Sequence, residues 1–562
     1  MPAARISPGP LAAAFDDACA RLDRMAFADA LWERRLDVWT TDVPTRNAIA
    51  NRLGWLDALA FVEPHLPRLR AFADAIRAGG FSHVVLLGMG GSSLAPEVLR
   101  QVLGVAPGYP QFRMLDSVDP DAVRAALADA ATSFFILASK SGSTIEPNVM
   151  AAEAQRRLHG VEGGWASRFA AITDPDTALH RRAVADGFRD VFVNPADIGG
   201  RYSALSFFGM VPAALMGADL DAIVREARDM AEACRTTPSA GNAGLALGAL
   251  MAAGAAAGRD KLTLLLPAGV RSLGLWIEQL VAESTGKHGK GVVPVAGEAP
   301  DAPLGDDRIV VSLALGTDEP DGGALDRARD AGMPIAELQM PGVAAIGAEF
   351  LRWEVATAAA GVLLGINPFD EPNVQQAKDA TRALLESYRT TRQLPAPEPH
   401  GSVGGVRLTV SQPALEILAG RPADEFLRVL RPGDYAAVLA YLPPDAEPFA
   451  APLQHFRTAL GAATGCATTL GYGPRYLHST GQLHKGGASN GVFIVMTAEP
   501  ATDLPIPGEP FSFAVLEMAQ ALGDFQSLER TGRRALHVHL PGRGLETFGR
   551  VADVLLRGLS AP

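Results

Sequence analysis

A glycine- and serine-rich turn between a buried strand and a helix constrains this chain more than any other segment. Residues 84–99 read VVLLGMGGSSLAPEVL, in which four apolar residues of a predicted strand break into GMGGSS and continue as a helix. Glycine allows backbone N–H groups to approach an anion, and the following helix presents unpaired N–H groups at its positive end. The segment predicts a parallel α/β sheet. Its first loop either holds a phosphate or serves tight packing.

A second loop of the same kind favours the phosphate interpretation. Residues 134–138 form another apolar run, and SKSGST follows at 139–144. One hydroxyl is enough to cap a helix, whereas this loop carries four hydroxyls and a lysine. The complete GxGxxG and GxxxxGK[ST] patterns are missing from both loops. The two loops therefore indicate a single phosphate ester more than a dinucleotide.

Composition narrows the class of protein. With 562 residues, 48% of them hydrophobic, the chain is long enough for about three domains. The formal net charge of −12 and the lack of a basic run argue against a nucleic-acid surface. Cys19, Cys234 and Cys466 lie far apart, so we expect neither disulfides nor a metal site. No apolar run is long enough to span a bilayer, and we expect a cytoplasmic protein without membrane contact.

Strand and helix patterns alternate in two blocks that follow a helical region, and a third block comes after a Pro- and Gly-rich linker. Alternation of this kind predicts parallel sheets with right-handed crossovers. The predicted strands are 84–87, 134–138, 170–173 and 190–193 in the first block, 262–266, 309–315 and 334–339 in the second, and 435–442, 491–497 and 535–540 in the third.

Four further segments carry residues that could do chemistry. Arg201 in GGRYS could stabilise an oxyanion, or it could be a solvated arginine in a turn. Glu283 ends an apolar helix beside Lys287. The pKa of a general base could be tuned in this setting, although a glutamate near a helix end is more commonly a surface residue. NPFDEPN at 367–373 reads as a capped helix. RYLHSTGQLHKGG at 475–487 contains two histidines among glycines and could transfer a proton or form a polar loop.

These segments, in this order, resemble the glucose-6-phosphate isomerase family, which is built on two sugar-isomerase domains. GMGGSS with LAP resembles the family's first glycine loop, and SKSGST resembles its phosphate-binding loop. GGRYSALS resembles its catalytic arginine segment, and ESTGK resembles its catalytic glutamate segment. The likeness covers roughly residues 80–380.

The resemblance implies an α/β fold of two doubly wound parallel-sheet sugar-isomerase domains with a helical N-terminal layer and a smaller C-terminal α/β domain. The expected boundaries are 1–78 for the helical segment, 79–245 and 246–392 for the sugar-isomerase domains, 393–405 for the linker and 406–562 for the C-terminal domain.

The resemblance also implies roles for individual residues. Arg201 would stabilise an enediol, and Glu283 would move the proton between C1 and C2. Lys378 would assist ring opening or stabilise a substrate oxygen. Its match is looser, with Glu371 where the family usually has glutamine. The residues implied to hold the sugar phosphate are Gly90, Gly91, Ser92, Ser139, Lys140, Ser141 and Thr144.

The ring-opening histidine departs from the family pattern. A TNGQH-like segment usually follows the glutamate motif, but AGEAPDAPLGDD occupies that region. STGQLHKGG at 479–487 is the similar string, so we prefer His484, with His478 and His288 as alternatives. This late position resembles the isomerase part of bifunctional transaldolase/glucose-6-phosphate isomerases. About 80 residues before the first loop are too few for a barrel of roughly 250, so we expect no transaldolase activity.

The resemblance therefore implies reversible conversion of glucose 6-phosphate to fructose 6-phosphate, with no metal or other cofactor. An isomerase that also accepts mannose 6-phosphate and a non-catalytic phosphosugar-binding regulator are the alternatives. We expect the C-terminal domain to close over the sugar site and deliver the histidine loop. Whether the chain forms a homo-oligomer stays open.

Overall fold

The computed structural model describes residues 4–320, 323–395, 397–444, 446 and 448–559. Small parts of the ranges predicted as domains and linker, namely residues 1–3, 321–322, 396, 445, 447 and 560–562, lie outside the described residues. Three sheets organise the chain, and the helices pack on their faces. No helix among the described residues is long and apolar enough to cross a membrane.

The N-terminal region is helical, as its apolar periodicity predicts, but it begins with a short strand. That strand, β1, pairs antiparallel with the edge of the second sheet and so ties the helical layer to it. The elements are β1 (Arg5–Ser7), α1 (Ala12–Arg24), α2 (Phe27–Trp32), α3 (Val43–Ala50), α4 (Ala58–Val62) and α5 (Leu66–Ala78).

The first sheet is parallel with the order β3-β2-β4-β5-β6. Its strands are β2 (His83–Leu87), β3 (Gln111–Leu115), β4 (Ser133–Ala138), β5 (Phe169–Thr173) and β6 (Asp190–Val193). Its helices are α6 (Leu94–Leu103), α7 (Pro120–Ala126), α8 (Ile145–Arg157) and α9 (Ala178–Asp186), followed by α10 (Phe207–Leu215), α11 (Leu220–Ala233) and α12 (Leu245–Ala256). Helices on both faces explain why β4 is buried throughout and apolar after Ser133, since neither side of it meets water.

The second sheet has the order β1-β10-β9-β7-β8 and is parallel apart from β1. Its strands are β7 (Lys261–Leu265), β8 (Val293–Ala296), β9 (Arg308–Leu315) and β10 (Ile335–Met340). Its helices are α13 (Leu273–Thr285), α14 (Ala324–Asp330), α15 (Ile346–Leu364) and α16 (Val374–Thr391).

The third sheet belongs to the C-terminal region and has the order β11-β12-β16-β15-β13-β14. Its strands are β11 (Gly401–Val403), β12 (Val406–Val410), β13 (Tyr435–Tyr441), β14 (Ala467–Tyr472), β15 (Gly491–Ala498) and β16 (Arg534–Leu540). Its helices are α17 (Gln412–Leu418), α18 (Ala450–Thr464), α19 (Gly481–Gly486), α20 (Phe513–Arg530) and α21 (Leu545–Gly558). The structure therefore places a strand, β11, inside the segment predicted as a linker.

The hydrophobic cores cross the predicted domain boundaries. One core cluster joins the first sheet to Leu384 of α16 and Phe513 of α20. Another joins Ala282 of α13 and Val295 of β8 to the third sheet. The C-terminal region is thus packed against both of the preceding sheets, and its loops are held at their carboxyl ends.

Candidate functional site

The glycine loop after β2 brings two other turns into contact. Gly90 has a φ of +55°, and a Cβ there would lie 2.7 Å from the backbone oxygen of His478. A Cβ on Gly91 would lie 2.1 Å from the backbone oxygen of Gly200, next to Arg201. Contacts this short exclude any side chain. The glycines therefore allow tight packing, which brings the arginine turn and the histidine turn against the loop that carries buried Ser92.

The serine- and threonine-rich loop after β4 leaves the start of α8 open. Thr144 is the N-cap residue, yet no side chain caps the helix. Ser139 Oγ instead accepts from the N–H of Gly142 at 3.2 Å, and the hydroxyls of Ser141 and Ser143 lie 3.0 Å apart. Unpaired N–H groups at a helix start together with several hydroxyls form a suitable anion cradle.

Lys140 is committed to its own loop. Its ammonium forms an ion pair with Asp174 and donates to the backbone oxygen of Ala196 at 2.8 Å. Burial is the largest influence on Asp174 and raises the pKa of its carboxyl, against the lowering effect of Lys140. In this arrangement Lys140 braces the loop from behind, and its direct contact with a phosphate stays a prediction.

Arg201 is 3% exposed and is held by hydrogen bonds from three sides. Its Nε donates to Ser284 Oγ at 2.7 Å. Its Nη2 donates to the backbone oxygens of Pro368 and Asp370 at 2.8 and 3.0 Å. These bonds fix the plane of the guanidinium and leave Nη1 facing two carboxylates.

Those two carboxylates belong to Glu283 and Glu371. Arg201 Nη1 lies 3.4 Å from Glu283 Oε1 and 3.0 Å from Glu371 Oε2. Burial is the largest effect on Glu283 and raises its pKa to about 7, while Arg201 opposes the shift and the charge of Glu371 adds to it. A carboxylate with this pKa near an arginine can exchange a proton at neutral pH.

Lys287 follows Glu283 by one turn, but its ammonium is directed elsewhere. It donates to Asp370 Oδ1 at 2.7 Å and to the backbone oxygen of Asn367. The side chain is buried, and this burial lowers its pKa to about 8, with Arg201 as a further lowering influence. Lys287 therefore secures the NPFDEPN segment, and its influence on Glu283 ranks below those of Arg201 and Glu371.

The histidine that the structure brings to this cluster is His478. Its Nε2 lies 2.9 Å from Glu146 Oε1 of α8, and Gln520 of α20 donates to the same carboxylate at 2.6 Å. Burial opposes ionisation of Glu146, but the charge and hydrogen bond of His478 hold its pKa below the ordinary value. The His478 backbone oxygen accepts from Gln279, one turn before Glu283. A histidine–carboxylate pair thus spans the first sheet and the C-terminal region.

The surroundings of His484, the preferred candidate, favour His478 instead. The ring of His484 packs against Phe493 and Tyr476, with centroids 5.0 and 5.9 Å apart. Its Nδ1 is buried and has no hydrogen-bond partner among the described residues, and burial holds its pKa well below the usual value. A histidine in such a setting stays neutral inside an aromatic core. His288 is exposed.

Lys378 lies on α16 with an exposed side chain. It is close enough to Glu146 for its charge to help lower the pKa of that carboxyl. Asp379 next to it is exposed and Ala377 is buried, and Lys378 stands at the solvent side of the cluster.

Three contacts in this site carry no sequence signal strong enough to single them out. Ser284 orients Arg201, Glu146 pairs with His478, and Gln279 holds the histidine turn. Glu146 follows the SKSGST motif by two residues, and that proximity is the signal that could have found it. No group of acidic, histidine or cysteine side chains among the described residues is arranged to hold a metal ion.

Comparisons with known proteins agree with this geometry. The family model described as phosphoglucose isomerase matches residues 45–296. A protein from Haloarcula marismortui named probable glucose-6-phosphate isomerase is 30% identical over 55% of this chain and 79% of its own length. The chain belongs to the phosphoglucose isomerase family.

Other relatives match over a smaller share of their length, or are similar in fold alone. The glucose-6-phosphate isomerase of Parasynechococcus marenigrum is 35% identical over 38% of this chain and 41% of its own length. The match with the first curated relatives thus spans about two fifths of their length. The solved structure of a glucose-6-phosphate isomerase from Chlamydia trachomatis has a TM-score of 0.54 at 17% identity, covering 67% of this chain and 86% of that one.

Proposed function

We propose that this protein interconverts D-glucose 6-phosphate and D-fructose 6-phosphate through an enediol intermediate. The observation that carries the proposal is the buried Glu283 carboxylate, whose pKa is about 7, with Arg201 Nη1 at 3.4 Å. Aldose–ketose isomerisation needs one base that takes a proton from one carbon and returns it to the next. It also needs a cation where negative charge develops on oxygen.

In this mechanism Glu283 takes the C2 proton of the open-chain aldose and returns it to C1, and the reverse reaction runs through the same groups. Arg201 supplies positive charge beside the base. Because Ser284, Pro368 and Asp370 already orient its guanidinium, little reorganisation is needed when charge develops.

The phosphate group is assigned to the loop at 139–144 and the start of α8. The exposed hydroxyls of Ser141 and Ser143 and the uncapped helix start provide neutral donors, which suits a chain with a formal net charge of −12. Gly90, Gly91 and Ser92 would border the sugar through backbone N–H groups.

Ring opening is assigned to His478. Its pairing with Glu146 orients the imidazole, which in its protonated form would donate to the ring oxygen of the cyclic sugar. Lys378 at the solvent side would add positive charge. The C-terminal region delivers this histidine, and it is anchored to the first sheet by Arg475, which donates to both oxygens of Asp116 at 2.8 and 3.0 Å.

A coupled assay of fructose 6-phosphate conversion tests the proposal. Wild type is compared with Glu283→Gln and with Glu386→Gln, an exposed glutamate on α16 that serves as the matched control. We expect turnover in wild type and in the control, loss of at least about 10²-fold with Glu283→Gln, and retained sugar-phosphate binding in all three.

Two results would contradict the assignment. Wild type that binds the sugar phosphate without turning it over would indicate a phosphosugar-binding regulator. Glu283→Gln with full activity would move the base to another residue. Parallel assays with mannose 6-phosphate measure how far the substrate range extends.

A further inference from the structure

Helix α20 of the C-terminal region carries two buried polar side chains to which the proposed mechanism gives no role. Gln520 is 3% exposed and Asp524 is 0% exposed. The two residues are four positions apart, which places them on the same face of the helix. Buried polar groups cost stability unless they form hydrogen bonds, so the partners of this face indicate what it does.

Gln520 donates to the carboxylate that pairs with the histidine assigned to ring opening. Its Nε2 lies 2.6 Å from Glu146 Oε1, and His478 Nε2 lies 2.9 Å from the same oxygen. Glu146 is 3% exposed, so little water is in contact with its carboxylate. Hydrogen bonds to an ionised group are short and strong, and two of them at one oxygen fix the orientation of the carboxylate. Gln520 therefore holds the group that orients His478.

Asp524 holds the turn that carries the same histidine. Its Oδ2 accepts from the Tyr476 hydroxyl at 2.6 Å, and Tyr476 stands two residues before His478. Its Oδ1 lies 2.5 Å from the ammonium of Lys485, which is 4% exposed. The ion pair compensates the buried charge of the aspartate, and the Tyr476 bond ties the histidine turn to α20. One face of α20 thus contacts both the histidine turn and Glu146.

α20 is itself packed tightly against its surroundings. A Cβ on Gly523 would lie 2.9 Å from Thr381 Oγ1 of α16 and 3.0 Å from the Thr381 backbone nitrogen. Phe513 and Leu516, at the start of α20, are buried in the core cluster that also contains the first sheet. Close packing at both places makes the helix a rigid support for the side chains on its polar face.

We propose that Gln520 is a positioning residue for ring opening, which acts by holding the Glu146 carboxylate against His478. Gln520 acts through Glu146 and not on the sugar itself. Its Oε1 is buried without a hydrogen-bond partner among the described residues, so the amide contributes through its Nε2 alone. This role rests on the proposed function, in which His478 opens the ring.

Ring opening can be measured apart from proton transfer between carbons, because opening and closing of the ring also interconverts the two anomers of glucose 6-phosphate. Glu283→Gln removes the base of the enediol step, so anomer exchange in this background reports ring opening alone. Two-dimensional NMR exchange spectroscopy measures the rate above the uncatalysed one. Gln520→Met keeps the length of the side chain and removes its N–H groups.

Gln526→Met is the matched control. Gln526 lies on α20 six residues beyond Gln520, is partly buried, and faces a groove against α16. The residue type, the helix and the substitution are the same, and only the direction of the side chain differs.

We expect Gln520→Met to slow catalysed anomer exchange at least about tenfold, because a hydrogen bond to an ionised group is lost. Gln526→Met should slow it by less than about twofold. Gln520→Asn draws the amide back by one methylene group and should cause a loss in the same direction. Circular dichroism and thermal melting establish that each variant is folded. If Gln520→Met is unfolded, Gln520→Asn decides the result.

A double-mutant cycle distinguishes positioning of Glu146 from general support of the fold. With Glu146→Gln also present, Gln520→Met should bring less than about twofold further loss, because the carboxylate that Gln520 holds is gone. An equal loss with and without Glu146→Gln contradicts the proposal.

Unchanged anomer exchange in Gln520→Met and Gln520→Asn also overturns the proposal, and it leaves the isomerase assignment intact. Absence of catalysed anomer exchange from the Gln526→Met control contradicts the ring-opening role of His478, and with it the role of Gln520. The control variant therefore separates failure of the positioning role from failure of the proposed function.

Discussion

Replacing Glu371 by glutamine tests the electrostatic account of Glu283 directly. Both carboxylates face the same Nη1 atom of Arg201, and the charge of Glu371 raises the pKa of Glu283. Glutamine keeps the size and one oxygen of the side chain while removing its charge. The variant therefore isolates the repulsion between the two carboxylates.

The magnitude follows from the contact distances. The Glu283 and Glu371 oxygens that face Arg201 are at most 6.4 Å apart, the sum of the 3.4 and 3.0 Å contacts. Two unit charges at this separation repel by about 2.6 kcal/mol at an effective dielectric constant of about 20. Glu371 is 41% exposed, and solvent screening reduces this to about 1.3 kcal/mol, or about one pKa unit.

The assay is the pH dependence of kcat/KM, from about pH 5 to about pH 9. Its acid limb reports the pKa of the base in the free enzyme. Removing a negative neighbour favours the ionised form of Glu283, so the limb should move to lower pH by about one unit. The pKa of Glu283 starts at about 7. At about pH 6, kcat/KM as a fraction of its maximum should therefore be about five times larger in the variant than in wild type.

Glu386→Gln, on α16, serves as the control, because it removes an exposed carboxylate without touching Arg201. An acid limb that stays in place, or that moves to higher pH, would refute the reasoning. A fall in activity at every pH with an unmoved limb would indicate instead that Glu371 only positions Arg201.

Three further predictions follow from the packing. His478→Gln should lower kcat/KM for the cyclic sugar by about 10²–10⁴-fold in the coupled assay, whereas His484→Phe should change it by less than about threefold. Gly91→Ala, whose methyl would lie 2.1 Å from the oxygen of Gly200, should destabilise the fold by about 1–3 kcal/mol in chemical denaturation. Glu354 is buried, and its burial raises the pKa of its carboxyl. The protein therefore loses folding stability as the pH rises above the pKa that Glu354 has in the unfolded chain. Glu354→Gln should have a higher free energy of unfolding than wild type at neutral pH and an equal one near about pH 4.

Apart from β6, which lies at an edge, the strands that the sequence predicts lie inside a sheet with a hydrogen-bonded strand on each side. The predicted strands at 134–138 and 190–193 agree with β4 and β6 to within a residue. Of the strands it missed, β1, β3, β8, β11 and β14 lie at sheet edges, and β12 is next to one. Edge strands meet solvent or carry residues such as Pro294 in β8, so they lack a continuous apolar run.

The residues of the candidate site divide in a similar way, into those that a local sequence pattern reveals and those that only packing reveals. The glycine loop, the hydroxyl-rich loop, Arg201 and Glu283 are recognisable in the sequence because their chemistry is local. The histidine is not decided by the sequence, since STGQLHKGG matches the family string at His484 while the fold buries that ring beside Phe493. Only the packing of the third sheet on the first decides that His478 meets Glu146.

By itself, then, the sequence determined the alternating α/β architecture and pointed to two loops suited to an anion and to Glu283 and Arg201 as candidates for the base and the cation. The tertiary structure decided which charged residues lie close enough to shift one another's pKa. Glu283 and Glu371 are 88 positions apart along the chain and meet at one guanidinium nitrogen. The reason is physical: local patterns report burial and backbone geometry, whereas a pKa depends on charges and solvent exclusion that distant segments supply only after they pack.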